Sequence, residues 1–132
     1  MKTVLVIDDE EDARREVAKQ LRLAGYNVLQ ASHTDEAKDM LVDPRASIRH
    51  GLCHLIICDN RIREHFGNEG LDFAKQLELF GSTIPFILFT SSSLEELGEQ
   101  TVLKYHIYYV SKNSPQRTLY DLAIRLLTVR DP

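Results

Sequence analysis

Apolar and polar positions fall into blocks along this chain, and the blocks change period in a regular order. Four short apolar runs stand out: Val4-Leu5-Val6-Ile7, Leu55-Ile56-Ile57-Cys58, Phe86-Ile87-Leu88-Phe89 and Ile107-Tyr108-Tyr109-Val110. Their length and their β-branched and aromatic content predict buried strands. Between them the apolar residues recur at helical spacing. Ala13, Val17, Leu21 and Ala24 mark a helix that Gly25 stops, and Asn27 to Gln30 reads as a short further strand. A second helix starts near Thr34-Asp35-Glu36, whose acids suit a helix amino end, and it breaks at Pro44. Asp43 as N-cap, Pro44 at the first helical position and Gly51 past the end predict a separate short helix through Ile48. Phe73, Leu77 and Phe80 mark the next helix, Gly81 closes it and Pro85 opens the following strand. Leu94 to Lys104 is a weaker helical stretch interrupted by Gly98, which costs about 1 kcal/mol against alanine. Ser114 as N-cap, followed by Pro115, opens a last helix with Leu119, Leu122, Ala123 and Leu126 turned inward. Strand and helix signals alternate throughout, so the expected fold is doubly wound α/β around a parallel sheet.

The residue that ends each apolar run carries chemistry. The first run meets Asp8-Asp9, the second Asp59, the third Thr90 and the fourth Ser111-Lys112. Parallel strands place their carboxyl ends on one edge of the sheet, where open α/β sheets bind ligands. Three carboxylates, a hydroxyl and an ammonium then share one crevice. Clustered carboxylates raise one another's pKa, and a hard divalent cation relieves the repulsion. Oxygen ligands of this kind suit Mg²⁺. With the metal bound, one carboxylate can attack phosphorus and form an aspartyl phosphate. Asp59, alone at its strand end, is the better nucleophile, and Lys112 and Thr90 would hold the transferred oxygens as charge develops. Any one of these acids alone is equally well explained by capping or solvation, the role read for Asp12. All of them at successive strand ends favour a shared site.

Size and charge narrow the choice further. The 132 residues make one domain with a full core, and a net charge of -4 without a basic tail argues against sequence-independent nucleic-acid binding. No apolar run has the length of a membrane span, and no signal peptide is visible. Cys53 and Cys58 lie an odd number of positions apart on one strand, which points them to opposite faces. They read as unpaired, buried thiols suited to a reducing cytoplasm. His33, His50, His54, His65 and His106 read as packed or solvated side chains, with His65 in the polar loop after Asp59 the one placed near a phosphoryl group.

Taken in combination, Val6-Ile7-Asp8-Asp9-Glu10, Leu55-Ile56-Ile57-Cys58-Asp59, Phe86-Ile87-Leu88-Phe89-Thr90-Ser91 and Tyr109-Val110-Ser111-Lys112 resemble the receiver domain of two-component response regulators, the group that includes single-domain chemotaxis regulators. The likeness runs from Lys2 to about Arg130, so residues 1–132 are read as one receiver domain. It implies a flavodoxin-like, five-stranded parallel sheet of order 2-1-3-4-5 with helices on both faces. It implies Asp59 as phosphoacceptor, and Mg²⁺ held by Asp8, Asp9, Asp59 and the backbone carbonyl of Arg61. Lys112 then pairs with a phosphoryl oxygen, Thr90 moves its hydroxyl toward the phosphate, and Tyr109 is the aromatic switch whose ring turns inward, although Tyr108 beside it competes for that position. The phosphoryl donor would be a sensor histidine kinase or a histidine phosphotransfer protein. The output would be a downstream effector protein or domain, met by the surface of the Leu94–Lys104 helix, the fifth strand and the last helix. No direct nucleic-acid or membrane partner is expected, a homodimer stays open, and the location implied is the cytoplasm. Such a chain catalyses its own phosphorylation and dephosphorylation and is not an enzyme on a separate substrate.

The chain also departs from the family pattern. The loop after Asp59 lacks the usual Met-Pro pair and reaches Gly70 about three residues late, and Asn113 follows Lys112 where proline in a cis peptide is usual. A non-proline cis bond costs roughly 2.5–4 kcal/mol, so the Lys112-Asn113 peptide is either trans or strained. Arg61 and Ser92 match variable positions that influence phosphoryl lifetime in the family. Two rival readings follow. A degenerate receiver-like interaction module would work without phosphorylation. A dehalogenase-type phosphatase would need a second aspartate where Arg61 stands.

Overall fold

All five residues of β1 (Thr3–Ile7) are buried, as a strand covered on both faces requires. The computed structural model describes residues 1–42, 53–62 and 67–128. The expected short helix at Asp43, Pro44, Ile48 and Gly51, together with His50 and His65, lies outside the described residues.

The chain continues through α1 (Glu11–Leu23), β2 (Asn27–Ala31), α2 (Thr34–Val42), β3 (Cys53–Cys58), α3 (Glu69–Leu79) and β4 (Phe86–Thr90). It then forms α4 (Leu94–Leu97), α5 (Glu99–Lys104), β5 (Tyr108–Ser111) and α6 (Gln116–Thr128). The strands make one sheet of order β2-β1-β3-β4-β5, and every neighbouring pair runs parallel. This is the doubly wound, flavodoxin-like architecture expected from the sequence.

Strand side chains alternate between two cores. Val4, Val6, Leu55, Ile57 and Ile87 pack with Val17, Ala18 and Leu21 of α1 and with Leu119, Ala123 and Leu127 of α6. Leu5, Ile7, Ile56, Cys58 and Leu88 pack on the other face with Ala37 of α2 and with Leu71, Phe73 and Ala74 of α3. Helices therefore cover both faces. On α6, Leu122 and Leu126 are partly buried against the same core, beside the more deeply buried Leu119, Ala123 and Leu127.

Three readings of the sequence need correction. Cys53 and Cys58 share one core instead of facing opposite sides. The register slips between Thr3↔Cys53 and Val4↔Leu55, so His54 is an extra residue that resets the alternation. Its Nδ1 accepts the Thr3 N–H at 3.0 Å. Both thiols are free. Phe80 is 89% exposed, because α3 ends at Leu79 and Gly81, at φ +84°, turns the chain away. Ser114 does not cap α6 in the expected way, since its hydroxyl donates to the Ser111 carbonyl.

Candidate functional site

Backbone pairing carried one residue past the strands builds the site. The Asp8 N–H donates to the carbonyl of Ala31, the last residue of β2, and the Asp59 N–H to that of Ile7, the last of β1. The Lys112 N–H donates to the carbonyl of Thr90, the last of β4. Each chemical group is thereby locked to a neighbouring strand. β1 and β3 flank the point where the chain leaves β1 for β2 and then crosses back, the usual ligand position in such sheets.

The side chains converge there. Lys112 Nζ lies 2.8 Å from Asp8 Oδ2 and 2.9 Å from Asp59 Oδ2, and it sits 5.7 Å from the centre of the Phe89 ring. The remaining oxygens are also held. Asp8 Oδ1 accepts the Glu10 N–H at 3.0 Å, and Asp59 Oδ1 accepts the Asn60 N–H at 2.6 Å. Arg14 tethers the backbone by donating to the Asp8 carbonyl at 3.0 Å and to Gln30 Oε1 at 3.2 Å.

Burial sets the electrostatics. It pushes the Asp8 carboxyl above its ordinary pKa of 3.8, although Lys112 and the Glu10 N–H pull it back. Burial works against the Lys112 ammonium too, but hydrogen bonds and charge from Asp8 and Asp59 outweigh it and raise the pKa. Lys112 therefore stays charged and serves both acids. Burial also pushes the Cys58 thiol well above its ordinary pKa, which makes it a packing residue and not a nucleophile.

Asp8, Asp9 and Asp59 each place a carboxylate oxygen within 4.8 Å of the others. Asp9 is exposed, Asp8 is buried and Asp59 lies between. Hard oxygen donors open to solvent on one side are the donor set that Mg²⁺ takes, with waters completing its shell. The site lies at the carboxyl ends of the strands. A cleft of about 350 Å³ at the opposite ends of β4 and β5 is lined by Leu77, Glu78, Ile84, Tyr105 and His106, and no comparable set of acids and ammonium meets there.

The other expected residues are placed as follows. Thr90 is 1% exposed, and its Oγ1 accepts the Ser92 N–H at 3.1 Å. Tyr109 is partly buried against the core and its hydroxyl donates to the Ser92 carbonyl at 2.8 Å, whereas Tyr108 is 42% exposed. The Arg61 side chain reaches Glu96 at 2.6 Å, on the first turn of α4. The Lys112-Asn113 peptide is trans, and Lys112 still reaches both acids.

Two features escaped the reading of the sequence. Asn60 is fully buried, and Gly70 packs so closely on the loop that a Cβ there would stand 1.9 Å from the Asp59 carbonyl oxygen. Asn60 looked like one polar loop residue among many, so only its burial reveals it. Gly70 was visible as the glycine that ends the loop after Asp59, but its contact was not.

Comparison with known proteins agrees with this geometry. The family model described as "Response regulator receiver domain" matches residues 4–124. The phosphate regulon transcriptional regulatory protein PhoB of Pseudomonas aeruginosa is 32% identical over 97 residues, covering 72% of this chain and 38% of that protein. The chain thus spans about two fifths of the length of that curated relative. Among solved structures, the non-phosphorylated HemR receiver domain of Leptospira biflexa superposes with a TM-score of 0.78 at 20% identity, covering 100% of this chain and 98% of that one. The response regulator TrrA of Thermotoga maritima, solved in complex with Mg(2+)-BeF, gives a TM-score of 0.76 at 25% identity over 96% of this chain and 100% of that one.

Proposed function

The chain belongs to the response regulator receiver domain family, and we propose that it is a working phosphoacceptor whose nucleophile is Asp59. The observation that carries the proposal is the pair of contacts from Lys112 to Asp8 and Asp59, which draws the ends of three strands onto one point. Asp59 Oδ attacks the phosphorus of a phosphohistidine on a sensor kinase or phosphotransfer protein. The P–O bond forms, the P–N bond breaks and the imidazole leaves with the electron pair. Lys112, already charged and placed at the carboxylate, balances the charge of the arriving phosphoryl oxygens. Thr90 accepts from Ser92 N–H, which leaves its own hydroxyl proton for a phosphoryl oxygen.

Asp8, Asp9 and Asp59, with the backbone carbonyl of Arg61, are the residues that would hold Mg²⁺, which when bound supplies positive charge to the phosphoryl oxygens. The mimic bound in TrrA supports the same chemistry here. Phosphorylation then adds charge and acceptor oxygens beside Thr90 and Lys112, and the state in which both contact those oxygens gains population. The side of the molecule formed by α4, α5, β5 and α6 is the proposed output surface. Leu103, Tyr108 and Ile124, one each on α5, β5 and α6, are exposed apolar side chains available to an effector or a second copy. No helix among the described residues is long and apolar enough to cross a membrane, and we place the protein in the cytoplasm with its kinase.

The test is intact mass after incubation with Mg²⁺ and acetyl phosphate. The parent is expected to gain one phosphoryl group, and Asp59→Asn none. A folded parent that gains nothing would sink the phosphoacceptor reading and leave the phosphorylation-independent module in its place.

A further inference from the structure

Asn60 has the lowest exposure of any buried polar residue described, at 0%, and its hydrogen bonds join the end of β3, the start of α3 and the segment after β4. Its amide donates to Asn68 Oδ1 at 2.9 Å and to Ser92 Oγ at 3.4 Å, and its side-chain carbonyl accepts the Leu71 N–H at 3.1 Å. Its backbone N–H holds Asp59 Oδ1 at 2.6 Å, and its backbone carbonyl accepts the Gly70 N–H at 2.9 Å. Ser92, itself 3% exposed, donates its N–H to Thr90 Oγ1 and accepts the Tyr109 hydroxyl on its carbonyl. A continuous hydrogen-bonded path, buried at Asn60, Ser92 and Thr90, therefore runs from the Asp59 carboxylate through Asn60 and Ser92 to both Thr90 and Tyr109.

We propose that Asn60 is a positioning residue that, through Ser92, couples the pose of the Asp59 carboxylate to Thr90 and Tyr109. This route is separate from any direct contact between Thr90 and the phosphoryl group, and it rests on the receiver reading above. The physical reason lies in the Asn60 N–H. It now donates to an ionised carboxylate, a charge-assisted bond. Phosphorylation turns that carboxylate into a neutral acyl group, a weaker acceptor, so the bond slackens and the Asn60 backbone is released. The amide uses both of its N–H donors, one of them in the long bond to Ser92. At 3.4 Å that bond is long, and the released Asn60 shortens it, so the contact is worth more in the phosphorylated state.

The experiment is an NMR titration with Mg²⁺ and beryllofluoride, following the Thr90 amide and the Tyr109 ring, for the parent, Asn60→Ala, Ser92→Ala and the double variant. Ser92→Ala keeps the backbone groups that hold Thr90 and Tyr109 and removes only the hydroxyl. We expect each single variant to bind beryllofluoride about 2- to 10-fold more weakly, with an incomplete Tyr109 response at saturation. The double variant should be no weaker than the worse single one, as for two residues on one path. An unchanged titration in Ser92→Ala, or losses that simply add in the double variant, would overturn the coupling. If Asn60→Ala does not fold, Ser92→Ala decides alone. A parent that binds no beryllofluoride overturns the receiver reading itself, which is a different result from a responsive parent with an indifferent Ser92→Ala.

Discussion

Asp8 and Asp59 share a single ammonium, so this trio keeps an excess of negative charge in a partly dehydrated crevice. Asp8 bears most of the cost, being 5% exposed with its pKa raised by burial above 3.8. The sign of the pH effect follows. A carboxyl whose folded pKa exceeds its unfolded one binds more protons in the native state between those two values, so stability falls as pH rises through that window. Above it, the ionised Asp8 destabilises the metal-free fold. Asp8→Asn is therefore expected to raise Tm at pH 7 without metal by roughly 3–5 °C, about 1 kcal/mol in a chain of this size. The gain should shrink as pH falls toward the ordinary carboxylate pKa of 3.8. Added Mg²⁺ should stabilise the parent more than the variant. Thermal melts at two pH values, with and without Mg²⁺, check this, and equal melting of parent and variant at pH 7 would count against it. The acids and Lys112 were legible because each follows an apolar run. Asn60 and the inward Cys53 were not, since burial and a one-residue slip at His54 leave no mark in residue type.

Between elements, α3 packs closely on the segment that follows Asp59. Gly70, in the first turn of α3, leaves no room for a side chain against the backbone of Asp59 and Asn60. The sequence shows this glycine arriving late after Asp59, and the structure nonetheless seats it against the Asp59 and Asn60 backbone. Gly70→Ala is expected to lower stability by about 3 kcal/mol and to abolish phosphorylation by acetyl phosphate. Gly81→Ala is the control, because Gly81 has φ +84° but nothing within 4 Å of an added Cβ. It should cost only the backbone strain, about 1–2 kcal/mol, and leave phosphorylation intact. Denaturant unfolding beside intact mass separates the two, and equal losses in both variants would show that crowding at Asp59 is not the cause. Helix existence was readable from apolar spacing, but helix ends were not. The pattern of Phe73, Leu77 and Phe80 runs one residue beyond α3, where Gly81 reverses the chain and leaves Phe80 in solvent.

Across the whole molecule, stability is unevenly spread, and the spread lies along the proposed route of the signal. β1 and β3 sit in the middle of the sheet, with every β1 residue buried. α4 and α5 have only four and six residues, are separated by Gly98 at φ +89°, and bury little beyond Leu97 and Val102. Helices this short are not stable alone. α4 is held at its start by the Ser93–Glu96 capping box and by the exposed Glu96–Arg61 pair, which ties it to the loop after Asp59. Segments that open at low free-energy cost are the ones a local charge change can move. Hydrogen exchange is therefore expected to change on adding Mg²⁺ and beryllofluoride chiefly over α4, α5 and β5, while the amides of β1 and β3 stay slow in both states. Glu96→Gln, which breaks the tie to Arg61, should speed exchange in α4 before any mimic is added and reduce the further change when it is. A response spread evenly over the sheet, or confined to the loop after Asp59, would mean that the short helices do not carry the switch. The surface on α5, β5 and α6 would then need another trigger.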